Sequence, residues 1–105
     1  MERVSVIGKR LREARLRSGL SQAQLGISAG IDVSSASPRI NQYENGKHIP
    51  DLSTAARLAK VLKVPTPYLY AVDDALAIWI LAFDHVSPSV RKAMARKVAA
   101  ELQEL

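Results

Sequence analysis

The 105-residue chain contains no cysteine. A disulfide framework and a thiolate zinc site are both excluded, and the absence fits a reducing compartment. Histidine occurs only at His48 and His85, with no close carboxylate cluster, so no metal site is expected. No glycine-rich phosphate loop or nucleophile arrangement is legible. Asp73 and Asp74 are adjacent and read as a helix cap rather than an acid/base pair. Neither an enzyme nor a bound cofactor is therefore expected. Long apolar runs are also missing: the longest, Ala75 to Phe83, is less than half of the ~20 residues that cross a bilayer. Met1 to Ile7 has no apolar stretch suited to a secretion signal. The expectation is a cytoplasmic protein without membrane contact.

What is present is a folded composition, with 48% hydrophobic residues and charges spread throughout. The length suits one compact domain plus an appendage. The net charge of +5 is unevenly placed, since Met1 to Lys47 holds eight Lys or Arg against four acids. A basic half on a small domain suits contact with phosphates, although a basic surface alone is unspecific.

Helix signals recur at short spacing and strand-like alternation is absent, so the chain reads as all-α. Ile7, Leu11 and Ala14 share one face of a first helix that Gly19 stops, while Lys9, Arg10, Arg12, Glu13 and Arg17 are expected to face water. Ser21 and Gln24 are spaced as a capping box for a short second helix, with Leu25 and Ala29 inward and Gly30 at its end. A third helix begins between Ser34 and Ser37, with Pro38 in its first turn. It buries Ala36, Ile40 and Tyr43 and stops at Gly46. Asp51 caps a fourth helix lined by Leu52, Ala55, Leu58, Ala59 and Leu62 and closed by Pro65. Tyr68, Leu69 and Tyr70 then offer apolar bulk to the core. The compact domain is expected to span 1–72, with a helical extension over 73–105. In the extension, an apolar helix runs from Asp74 to Phe83. A second, opened by Ser87 and Pro88, carries the stripe Val90, Met94, Val98 and Leu102.

Two short helices joined near a glycine, the second offering polar residues outward from an apolar anchor, form a geometry that places a helix in the major groove of DNA. Over about Ile7 to Tyr70 the chain also resembles the phage-repressor family of helix-turn-helix regulators, the Cro and xenobiotic-response-element type. The resemblance is carried by Gly19-Leu20-Ser21-Gln22, Leu25, Gly30-Ile31, Ile40, Tyr43-Glu44-Asn45-Gly46 and Pro50, then by Leu52, Leu58-Ala59 and Leu62. It implies a five-helix lambda-repressor-like domain that acts on double-stranded DNA, usually as a dimer on a two-fold operator.

The resemblance further implies roles for individual residues. Gln22 matches a phosphate anchor, and Asn45 and Lys47 match phosphate-contacting positions after the reading helix. Base reading falls to Ser37, Pro38 and Gln42, flanked by Arg39 and Asn41. The chemistry suits Gln42 on adenine and Arg39 on guanine, at about 1 to 3 kcal/mol of discrimination per bidentate pair. Arg15 and Glu44 match an internal ion pair, of small energy if exposed. One departure stands out: nine residues separate Gly30 from Ile40, several more than in the family pattern. Either the turn is longer or the third helix starts earlier, and an earlier start adds Ser34 and Ser35 to the DNA face, with Ser35 toward phosphate. Gly26 also replaces a commoner alanine, at a helix-propensity cost of up to ~1 kcal/mol.

The apolar extension, with Ile78, Trp79, Phe83 and Met94 prominent, either enlarges the core or pairs with a second subunit. A homodimer is the favoured reading, because it sets two reading helices about one helical turn apart. The leading function is a sequence-specific regulator, a repressor on a palindromic operator. The alternatives are an antitoxin with a toxin partner and a protein-interaction module on the same fold. The sequence reveals neither a ligand pocket nor a small-molecule effector.

Overall fold

Small polar residues set where the helices begin. In the computed structural model, which describes residues 5–104, Ser5, Ser21, Asp51, Asp73 and Ser87 each accept a backbone N–H from three residues on. Residues 1–4, including Glu2 and Arg3 of the basic half, lie outside the described residues. The caps open α1 (Val6–Ser18), α2 (Gln22–Ser28), α4 (Leu52–Leu62), α5 (Asp74–His85) and α6 (Pro88–Gln103). Between them lie α3 (Ala36–Glu44) and a 3-10 helix (Thr66–Tyr70). The architecture is all-α, with no strand among the described residues. The first four α-helices and the 3-10 helix supply the five helical elements that the resemblance implies.

One core binds these elements together. Leu11 and Ala14 of α1, Leu25 of α2, Ile40 and Tyr43 of α3, Ala55, Leu58, Ala59 and Leu62 of α4, and Tyr68 and Leu69 pack as a single cluster. Burial of these apolar side chains is the main driving force for the fold. Ala77 of α5 joins the cluster, with Ile80 and Leu81 partly covered against it. Arg57 ties α4 to α2 by donating from Nε to the Ala29 carbonyl at 3.1 Å.

Four expectations need correction. Leu52 is 69% exposed, because as the first residue of α4 it points out past the end of the core. Tyr70 ends the 3-10 turn 42% exposed, and of the three only Tyr68 and Leu69 seal the core. Arg10, expected to face water, is 2% exposed. It lies one turn from both Ile7 and Ala14, on the edge of the apolar face, and its fork reaches the connector before α5. Nε donates to the Ala71 carbonyl at 2.8 Å, Nη2 to that of Val72 at 3.3 Å, and Nη2 pairs with Asp74 at 2.9 Å. Hydrogen bonds from Arg10 and then Lys9 hold the Asp74 carboxyl below its ordinary value. The bridge is therefore intact above the usual carboxylate range and is lost as the pH falls through the depressed value.

The fourth correction concerns Gly26. A Cβ built there would lie 2.8 Å from the Ala36 Cβ and 3.0 Å from the Ala36 Cα and carbonyl oxygen. The glycine is what lets α3 approach α2, and its propensity cost accompanies a contact no larger residue permits. Gly26→Ala is expected to destabilise the protein by about 1 to 3 kcal/mol through overpacking, although alanine is the better helix former. Denaturant unfolding checks this; an equally or more stable variant would show that the two helices can part.

Candidate nucleic-acid interface

The geometry begins with a tight entry into α2. Gly19 takes φ 72, and Ser21 and Gln24 close the reciprocal capping box. At the far end Gly30 takes φ 92, and the Ile31 N–H donates to the Gly26 carbonyl at 2.9 Å. The longer stretch before α3 is spent on a turn rather than on an earlier helix. The Ser35 N–H donates to the Asp32 carbonyl at 2.9 Å, and the Ser34 hydroxyl donates to the Asp32 carboxylate at 2.6 Å. Ser35 occupies the N-cap position of α3 without a side-chain cap bond. Pro38 falls at the third helical position, where no intrahelical N–H is lost.

α3 then divides cleanly. Ala36, Ile40 and Tyr43 are buried against the core. Pro38, Arg39 and Asn41 are exposed, while Ser37 and Gln42 are half-buried beside them. Gly46, at φ 74, turns the chain, and the N–H groups of Lys47 and His48 both donate to the Gln42 carbonyl, at 3.0 and 3.3 Å. That fold-back leaves Asn45 and Lys47 exposed past the helix end. It also brings His48 and Ile49 beside the outer face of α3. An open groove of about 330 Å³ is lined by Arg39, Gln42, Tyr43, His48 and Ile49. The sequence reading gave His48 and Ile49 no part in this surface. The signal was there in Gly46, whose left-handed turn returns the following residues to the helix they have just left.

The position of α3 is held by charge. Arg15 of α1 donates from Nε to Glu44 Oε2 at 2.6 Å and from Nη2 to Oε1 at 3.1 Å, and its Nη1 donates to the Leu20 carbonyl at 3.0 Å. The pair is shielded, with the two side chains 12% and 4% exposed, so the small energy of an exposed pair is not the relevant case. The hydrogen bond to Glu44 raises the Arg15 pKa above its ordinary value. Gln22 adds to this centre, its amide donating to Asn41 Oδ1 at 3.2 Å and to Glu44 Oε1 at 3.3 Å. The side chain matched to a phosphate anchor thus spends its hydrogens inside the protein, bracing α2 against α3.

The extension is differently placed. Leu76, Trp79 and Phe83 form an exposed stripe on α5 beside the face that carries Ala77 and Ile80, and Ile78 is 65% exposed on the other side of that face. Met94 lies in the middle of the α6 stripe at 45% exposure. α6 has no buried residue. It is joined back to α5 by Arg91, which donates to the carbonyls of Phe83 and Asp84 at 2.9 and 3.1 Å and lies over the Phe83 ring. Among the described residues no group of His, Asp or Glu could hold a metal ion, and no helix is long and apolar enough to cross a membrane.

Comparison with known proteins agrees with this geometry. A family model described as helix-turn-helix matches residues 11–69. The crystal structure of a transcriptional regulator, BswR, is similar, with a TM-score of 0.81 and 45% sequence identity over 89% of this chain and 92% of that one. No curated protein matches.

A shielded pair that loses one member leaves an uncompensated charge, so Arg15→Met is expected to cost about 3 kcal/mol or more. The double variant Arg15→Met with Glu44→Leu is expected to recover much of that loss. A double-mutant cycle on unfolding free energies tests both; additive losses would show that the two side chains do not interact.

Proposed function

Since the chain belongs to the helix-turn-helix family of phage-repressor type, we propose that this DNA-binding transcriptional regulator acts as a repressor, a homodimer on a palindromic operator. The observation that carries the reading is α3 itself. Its apolar side is locked into the core while Arg39 and Asn41 stand exposed to either side of the half-buried Gln42, placed to meet base edges. Arg39 has the fork that fits guanine and Gln42 the donor and acceptor that fit adenine, with Ser37 and Pro38 at the leading end for smaller contacts. Asn45, Lys47 and Ser35 flank this row and are assigned to the phosphate backbone, while the Gln22 amide, already donating to Asn41 and Glu44, supports the row from α2. Repression follows most simply, because a dimer seated on a promoter excludes other proteins without needing an activating surface. Such a protein works where the DNA is, in the cytoplasm.

The homodimer rests on the extension. A lone 16-residue helix is marginal in water, and no residue of α6, including its apolar stripe, is buried by the described residues. A second copy presents the same stripe, and a two-fold axis pairs each with the other. Ile78, Trp79, Phe83 and Met94 are assigned to that interface.

Selection from random duplexes is expected to return an inverted repeat, with affinity that falls steeply as salt rises. Arg39→Ala and Gln42→Ala are each expected to lose preference at one base-pair position, by about 1 to 3 kcal/mol. Lys47→Ala is expected to weaken all sequences alike and to lower the salt slope by about 1. Binding without sequence preference in the native chain would overturn the proposal. Separately, Trp79→Glu is expected to yield a folded monomer by light scattering and circular dichroism, since that side chain is 64% exposed in the single chain. A variant that stays dimeric would remove Trp79 from the interface.

A further inference from the structure

The arm formed by α5 and α6 leaves the DNA-reading domain through Ala71, Val72 and Asp73, three residues without regular structure. Ala77 is the only buried residue of α5, with Ile80 and Leu81 partly covered beside it. Contacts of this kind attract without direction. They hold the helix near the core but leave its angle weakly defined.

Direction comes from Arg10. Its guanidinium is planar and its donors diverge at fixed angles. They grip the Ala71 carbonyl, the Val72 carbonyl and the Asp74 carboxylate, at 2.8, 3.3 and 2.9 Å. These acceptors span the whole connector and the first residue of α5. Glu13 holds the same guanidinium from behind, with Oε2 3.2 Å from Nη1. Glu13 is in turn fixed by the Tyr68 hydroxyl, which donates to it at 3.2 Å, and Arg17 donates to that hydroxyl at 3.2 Å. A chain of side chains from α1 and the 3-10 helix thus orients one buried fork, and the fork orients the arm. The same helix α1 carries Arg15, which holds α3.

We infer that Arg10 is a spacing-determining residue. By fixing the exit angle of α5 it sets the separation and relative rotation of the two α3 helices in a dimer, and hence the distance between operator half-sites that the protein accepts. This rests on the homodimer proposed above. Spacing is a sensitive readout, because each added base pair turns one half-site by roughly 35° about the duplex axis. Arg10 touches no base and is a positioning residue.

The test uses the full chain and a set of duplexes carrying two copies of the selected half-site at every spacing across one helical turn. The native chain is expected to prefer one spacing over its neighbours by about tenfold, a difference of 1.4 kcal/mol. Arg10→Lys, which keeps the charge but loses the fork, is expected to bind the neighbouring spacings within about threefold of the best one. Asp74→Ala removes one acceptor from an exposed position and is expected to broaden the profile in the same direction. Both variants are expected to keep the native base preference within a half-site and to remain dimeric. If Asp74→Ala and Arg10→Lys are folded, dimeric and as selective for spacing as the native chain, Arg10 does not set the spacing, and the regulator assignment stands. Should Arg10→Lys fail to fold, Asp74→Ala decides together with Lys9→Ala, which removes the other cation on that carboxylate: unchanged selectivity in Asp74→Ala, or equal broadening in Lys9→Ala, overturns the inference, and broadening in Asp74→Ala alone upholds it. A native chain that is monomeric on DNA, or indifferent to spacing, would instead remove the homodimer and this inference with it.

Discussion

The reading surface depends on a carboxylate at the end of α3. On the proposed function α3 approaches a polyanion, and a free negative charge on Glu44 would oppose binding. Arg15 meets it with two parallel hydrogen bonds, the strongest geometry open to a carboxylate, and does so in a shielded position. The pair removes the repulsion and fixes the rotation of α3 about its own axis. That rotation decides which of Arg39, Asn41 and Gln42 faces outward. Gln22 joins the same carboxylate from α2, so three helices are referred to one charged centre. A hydrophobic core by itself would place α3 at the right depth and leave its rotation poorly specified.

The approach of α2 to α3 is the second constraint, and it is steric. Gly26 and Ala36 meet where a Cβ on the first would lie inside the contact distance of the second. Small residues at this crossing let the two helices pack closely even though α2 has only seven residues and could not persist alone. The extra residues between Gly30 and Ile40 do not enter the crossing. They form a turn closed by the Asp32 carbonyl and carboxylate, outside the packed region. A longer turn is compatible with an ordinary helix pair because the insertion falls where the chain has only to change direction.

Helix caps and apolar anchors were largely legible in the sequence, since both depend on local chemistry. Ser21, Asp51, Asp73 and Ser87 begin helices as their type and position suggested, and Ala36, Ile40 and Tyr43 face inward at the spacing of one helix face. Pro65 bounded α4 less directly. It keeps Val64 out of the helical region, so the helix ends earlier, with Lys63 in the left-handed conformation at φ 58. The misreadings share a cause. Arg10 was judged by its charge, yet its position one turn from Ile7 and Ala14 put it on the buried edge, and its partners lie about sixty residues away. Gly26 was judged by helix propensity, while its reason is a neighbour on another helix. Leu52 and Tyr70 were judged by hydrophobicity at element ends, where helical periodicity no longer decides the direction a side chain takes. Long-range partners cannot be read from local pattern, and in this chain they decide the placement of the arm.

The reading domain and the arm differ in how complete they are as single chains. Within the domain every helix is held by at least two others, and no buried polar side-chain atom among the described residues lacks a partner. α6 has no buried residue, and its ties to the body run through one arginine and the end of α5. On the proposed homodimer, α6 then gains its apolar environment only on association, so its ordering and the pairing of subunits are one equilibrium. The free energy of DNA binding includes that step. On that proposal the protein would read DNA with a domain that is ready beforehand and measure its own concentration with an arm that is not. Operator occupancy should accordingly rise more steeply than in proportion to total protein wherever the free chain is mostly monomeric.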